Sequence, residues 1–188
     1  GVLWYGDPGP NEMVNRHEGA VGPLAVEGKL IVQGEWSILA YDAYNGQFLW
    51  RHENPEAIRT GVFQNQNPAN IAASEKYVFH FVGDQCLQLD LQTGQTVAVH
   101  RLPPSLDNGK YQWGYLAIQD EILFGAATVR TELEDRQKRR GRKTEDATDQ
   151  LFAIDINTGK HLWTYEGQHI SHHTIAIGPG EVFFVDSS

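Results

Sequence analysis

The stretch LFAIDINTGKHLW, residues 151–163, runs from an alternating apolar segment into Asp155, Gly159 and Trp163, each four positions apart. Residues 39–50 read LAYDAYNGQFLW, with Asp42, Gly46 and Trp50 at the same spacing. Residues 87–98 read LQLDLQTGQTVA, with Asp90 and Gly94 in register and Ala98 where the tryptophan would fall. The stretch is therefore a repeat unit, and a repeat decides the architecture before any single residue is interpreted.

Each copy is preceded by the same pattern of short apolar runs and tight turns. In the first these are GPLAV (22–26), the turn at Glu27 and Gly28, KLIVQG (29–34) and SILAYD (37–42). The second gives NIAAS (70–74), KYVFHFVG (76–83) and CLQLD (86–90), and the third GYLAIQ (114–119), EILFGAA (121–127) and QLFAID (150–155). A fourth starts at HTIAIG (173–178), turns at Pro179 and Gly180, and continues as EVFFVDS (181–187). Runs this short, rich in β-branched and aromatic residues and separated by turns, predict an all-β meander. QFLW, QTVAV and KHLWTYE supply a fourth strand after each glycine. Four antiparallel strands recurring at this period predict the blade of a β-propeller. Asp42 and Asp90 are 48 residues apart and Asp90 and Asp155 are 65 apart, the excess falling in a charged insertion near 130–150.

The expected division is a lead-in at 1–18, the outer strand of an adjacent blade; blades at 19–55, 56–103 and 104–168; and the start of a further blade at 169–188. That is an arc of about three and a half blades of a larger ring. An open arc exposes strand edges, and the chain begins with Gly rather than Met, so the expectation is a piece of a longer polypeptide.

Within the motif, Asp accepts hydrogen bonds from the amides of the turn that follows, glycine permits the reversal, and tryptophan lays its ring across the next blade. Asp42, Gly46, Trp50, Asp90, Gly94, Asp155, Gly159 and Trp163 are thus expected to build the fold, not to perform chemistry. In the second copy Ala98 requires a different filling of the blade interface.

The chain has 188 residues and a formal charge of −9, which argues against a general nucleic-acid binder. RQKRRGRK at 136–143 holds six basic side chains, balanced by six acidic ones over 131–150. It reads as a solvated charged loop, with docking to an anionic partner as the alternative. No window is apolar over the roughly 18 residues of a membrane helix, and GVLWYGDPGP does not read as a signal peptide. The single cysteine, Cys86, excludes an internal disulfide and sits in an alternating run as a structural thiol. No nucleophile elbow or phosphate-binding loop is present.

The D-x3-G-x3-W pattern of LAYDAYNGQFLW and LFAIDINTGKHLW resembles the tryptophan-docking repeat of the pyrroloquinoline-quinone-type β-propellers, over roughly residues 19–188. That family resemblance implies a propeller with the same general architecture as WD40-type repeats. The family includes quinoprotein alcohol dehydrogenases and non-enzymatic members similar to the outer-membrane-protein assembly lipoprotein. It implies export or a periplasmic setting, and protein partners or further blades as neighbours.

In a propeller the segments feeding the innermost strands converge on one face, which is where a site is expected. Here they read MVNRHEGAV (13–21), VFQNQNPAN (62–70), KYQWGY (110–115) and GQHISHHT (167–174). Arg16, His17, Glu18, Asn65, Asn67, Trp113, His172 and His173 are the candidates for a polar cup there. Three readings compete. In the first, Trp113 stacks on a quinone, Arg16 binds its carboxylates, and Asn or Glu oxygens hold calcium. One cysteine cannot supply the vicinal pair typical of the quinoprotein dehydrogenases. In the second, His169 and His173 share a face of an extended strand and offer weak metal ligation. In the third, the cup is a docking face for a peptide or partner domain, with no cofactor and no catalytic residue. This third reading, a non-catalytic interaction or assembly scaffold, is the leading expectation; part of a quinoprotein-like oxidoreductase completed elsewhere is the alternative.

Overall fold

The computed structural model describes residues 22–33, 37–53, 71–129 and 147–187. The first sheet is β1 (Leu24–Val26), β2 (Lys29–Gln33), β3 (Ser37–Asp42) and β4 (Phe48–Glu53). The second is β5 (Ile71–Ala73), β6 (Tyr77–Val82), β7 (Gln85–Asp90) and β8 (Thr96–Arg101). The third is β9 (Tyr111–Gln119), β10 (Ile122–Val129), β11 (Ala147–Asp155) and β12 (His161–Ser171). Each is a four-stranded antiparallel meander in sequence order, and β13 (Ala176–Gly178) pairs with β14 (Glu181–Phe183) as a further two-stranded sheet. The chain is an arc of β-propeller blades.

SILAYD of β3 and YVFHFV of β6, each a middle strand of its sheet, are buried along nearly their whole length. The last strands alternate mostly exposed residues with single buried ones, Trp50 in β4 and His100 in β8. The core consequently lies in the seams between blades. Ile31, Ile38, Ala40, Trp50, Val78, Leu89 and Leu91 fill the seam between the first and second. Phe79, Phe81, Trp113, Leu123, Phe152 and Ile154 fill that between the second and third. Burying each such large side chain stabilises the arc by about 1.5–3 kcal/mol.

The three motif turns share one geometry. Asp42 Oδ1 accepts the amides of Tyr44 and Asn45 at 2.8 and 3.1 Å; Asp90 Oδ1 accepts those of Gln92 and Thr93 at 3.0 and 2.8 Å; Asp155 Oδ1 accepts those of Asn157 and Thr158 at 3.0 and 2.9 Å. Gly46, Gly94 and Gly159 close them at φ of 73°, 70° and 69°, a region that favours glycine. The residue after each Asp donates its amide to the turn between the first two strands of its sheet: Ala43 to Gly28, Leu91 to Lys76, Ile156 to Glu121. Both turn types therefore lie at the same end of each blade.

The third blade departs from the sequence reading at its first strand, which begins at Tyr111 and not at Gly114. Gly114 looks like a strand start but lies inside the strand, where the side chains of Thr128 and His172 occupy the space a Cβ would need.

Candidate functional site

Of the candidate cup, Arg16, His17, Glu18, Asn65 and Asn67 lie outside the described residues, as does the basic run 136–143. Trp113 belongs to β9 and is fully buried. Its indole stacks with Phe81 at 6.3 Å between centroids and meets Phe152 edge-on at 4.9 Å. Both neighbours are core residues of the seam, so the ring does not fit the role of a platform for a planar quinone. The expectation for Trp113 is corrected here: its neighbours in sequence are polar, but its strand register points it into the seam.

The histidine cluster is also divided by geometry. β12 ends at Ser171 and a single 3₁₀ turn covers His172–Thr174, so the extended path that would put His169 and His173 on one face is broken before His173. His172 is buried, its ring 5.8 Å from that of Tyr115, whereas His169 and His173 are exposed. Among the described residues no group of three His, Cys, Asp or Glu side chains could hold a metal ion.

What orders this segment is Asp186, a residue the sequence reading passed over. Its carboxylate accepts the amides of Gln168 (3.0 Å) and His169 (2.8 Å) and the Tyr165 hydroxyl (3.3 Å). The His169 amide above all, then that of Gln168, holds its pKa below the usual carboxylate range. A second missed group stands where the third blade meets the charged insertion. Lys110 Nζ lies 4.7 Å from the centre of the Tyr111 ring and 3.1 Å from its hydroxyl, which donates to Asp149 Oδ2 at 3.1 Å. In sequence the two charged residues are far apart, Lys110 just before β9 and Asp149 within β11.

At the opposite end of the blades, between the second and third, lies a cleft of about 440 Å³. Ala73, Tyr77, Ile118 and Ile156 supply its apolar walls, and Glu75, Lys76, Asp120 and Glu121 its charged rim. Strand ends and the turns that join them form it, and none of its residues is among the sequence candidates.

The seams differ at their outer ends. Trp50 reaches across the first seam, donates Nε1–H to the Leu91 carbonyl at 3.0 Å, and lies against Gly94. His52 Nδ1 donates to the Gly94 carbonyl at 2.9 Å. In the second seam Ala98 stands opposite Gln88 as Trp50 stands opposite Ala40, and among the described residues no atom comes within 4 Å of where a Gly159 side chain would begin. There His100 Nε2 instead donates to Gln88 Oε1 at 2.7 Å. The seam is held further in, by Trp113 and its phenylalanine neighbours.

Three blades with one turn geometry, joined through an indole, define a propeller of the quinone-type repeat class. The family described as outer membrane protein assembly factor BamB matches residues 2–115, and the chain belongs to it. Among curated proteins, none matches the chain. Similar solved structures include a europium-containing methanol dehydrogenase, 21% identical, covering 81% of this chain and 25% of that one with a TM-score of 0.54. A quinohemoprotein alcohol dehydrogenase from Pseudomonas putida HK5 is 19% identical, covering 78% of this chain and 20% of that one, with a TM-score of 0.51. A computationally designed protein, Ika8, is 14% identical over 88% of this chain and 42% of its own length, with a TM-score of 0.55. At these identities the likeness is one of fold, and the chain spans a quarter or less of the length of the two dehydrogenases.

Proposed function

We propose that this chain is part of a non-catalytic propeller scaffold that acts by contact with other proteins in the assembly of outer-membrane proteins. The observation that carries the reading is the family match over residues 2–115, which names an assembly factor. The residues whose geometry is on view support it. The motif Asp and Gly residues build turns, Trp50 and Trp113 build seams, and the exposed apolar groups Val97, Val99, Leu162, Trp163 and Tyr165 lie on the outer strands. An outer-membrane role implies export. Among the described residues no helix is long and apolar enough to cross a membrane.

The test is deletion of the gene in its source cell, followed by quantification of folded β-barrel proteins in the outer membrane. A reduction restored by the full-length gene is expected; unchanged levels overturn the reading. A parallel assay of the full-length protein with added quinone, calcium and an artificial electron acceptor addresses the oxidoreductase alternative. Turnover of alcohols or sugars in that assay also overturns the scaffold reading.

A further inference from the structure

The turn at Asp155–Gly159 repeats, part for part, the turn that seats Trp50. Leu91 N donates to the Lys76 carbonyl and Ile156 N to that of Glu121; Gly94 N donates to Asp90 O and Gly159 N to Asp155 O, both at 2.8 Å. The glycines share their φ, 70° against 69°. Leu91 and Ile156 are both buried, and Ala98 holds the strand position of Trp50, in each case just before a register shift. At the first turn an indole covers the glycine and its N–H meets the carbonyl of the residue after Asp. At the second, no atom of the described residues stands over Gly159, which is exposed at the outer rim.

We infer that the turn at Ile156–Gly159 is an indole seat left vacant by Ala98, and that it takes a tryptophan side chain presented by a partner polypeptide at the rim between the second and third blades. The occupant follows from the first seam, where a seat of the same parts holds an indole and not an aliphatic group. The ring would lie on the bare Gly159 backbone and donate its N–H to the Ile156 carbonyl, an acceptor that an aliphatic side chain leaves unused. Because the second seam is closed further in by Phe81, Trp113 and Phe152, the rim does not need an occupant for the blades to adhere. That leaves the seat available for reversible use. Only the assignment of the indole to another protein rests on the scaffold reading; the seat itself does not.

The experiment is titration of the uniformly nitrogen-15-labelled full chain with N-acetyl-tryptophanamide, followed through backbone amide resonances. Saturating shifts are expected at Ile156 and Gly159, with Leu91 and Gly94 unmoved because Trp50 already fills their seat. The shifts should vanish in the Ala98→Trp, Gln88→Ala variant, which recreates the Trp50–Ala40 pair of the first blade and occupies the seat from within. Equal shifts with N-acetyl-leucinamide, equal shifts at both turns, or no shift at Gly159 would each overturn the inference. The wild-type titration decides these outcomes even if the double variant does not fold. Concentration-dependent shifts at Gly159 without any added indole, abolished by Trp163→Ala, would assign the seat to a second copy and overturn the partner assignment. Because a free indole reads the seat alone, its failure leaves the assembly role untouched, and loss of the assembly role leaves the seat standing.

Discussion

A Cβ added to Gly94 would stand 2.6 Å from Cδ2 of Trp50, so the glycine of one blade and the tryptophan of the blade before it are mutually exclusive of any larger neighbour. Gly94 answers two demands at once, a positive φ and a bare surface for the indole. Gly159 answers only the first. Gly94→Ala is therefore expected to cost about 2–4 kcal/mol, combining left-handed strain with a displaced ring, and Gly159→Ala about 1–2 kcal/mol from the strain alone. Urea denaturation of the two variants measures the difference, and equal costs would mean that Trp50 does not lie on Gly94.

Trp50 and Trp163 occupy the same place in the repeat but not the same environment. Trp50 is 6% exposed and bonded to Leu91, whereas Trp163 is 39% exposed, with Phe124 at 6.2 Å as its aromatic neighbour. Trp50→Ala should cost about 3–5 kcal/mol, as for other buried large-to-small changes, and Trp163→Ala less than about 1 kcal/mol in this chain. Trp50→Phe keeps much of the apolar area but removes the donor to Leu91, isolating about 1 kcal/mol for that bond. Thermal unfolding of the three variants ranks them; a Trp163→Ala cost as large as that of Trp50→Ala would refute the difference in packing.

The repeat, the blade and the turn chemistry were legible in sequence because they rest on local rules: alternation, an Asp that bonds the amides after it, a glycine at positive φ. The vacancy at Ala98 was legible as a departure. How the second seam closes without that tryptophan was not, since it depends on which side chains a neighbouring blade brings to the seam. Trp113 shows the limit most clearly. Its setting in KYQWGY reads as a polar segment, yet β9 starts at Tyr111 and the register turns the indole inward to Phe81 and Phe152. Asp186 was illegible for the same reason: its partners, Gln168 and His169, lie on β12, 18 and 17 residues earlier in the chain. The histidines failed on local backbone, because alternation was extended past Ser171 into a 3₁₀ turn.

The two seams also predict how the fold responds to acid. Burial holds His100 below its ordinary value of 6.5, with the charge of nearby His161 acting in the same direction, and burial lowers His161 as well. The unfolded chain therefore takes up protons first as pH falls, so stability is full above about 6.5 and declines as pH drops from there toward the folded values. The carboxylates act lower on the scale. Asp90 is held below 3.8 chiefly by the Thr93 hydroxyl, and Asp155 by the Thr158 amide and then its hydroxyl, so their contribution is present above 3.8 and lost only as pH falls through their folded values. Melting temperature followed from about pH 8 to about pH 3 should show both declines. Replacing His100 and His161 with glutamine should flatten the upper one and leave the lower intact; an unchanged upper decline would place its origin elsewhere.

Cys86 should be chemically silent while the chain is folded. Its side chain is fully buried among the residues of the second seam, and burial pushes the thiol far up, although a backbone hydrogen bond from His80 partly opposes the shift. The thiolate is the reactive form, so both access and ionisation are denied. An aromatic disulfide reagent at about pH 8 is expected to label Cys86 only after denaturant is added, or slowly at the rate of local opening in its absence. Cys86→Ala should keep the seam and cost about 1 kcal/mol, whereas Cys86→Ser buries a hydroxyl among apolar side chains and should cost about 1–3 kcal/mol. Rapid labelling of the native chain would show that the second seam opens readily. Because Trp113 packs in the same cluster as Cys86, such opening would also expose the indole, and its fluorescence would become quenchable by acrylamide in parallel.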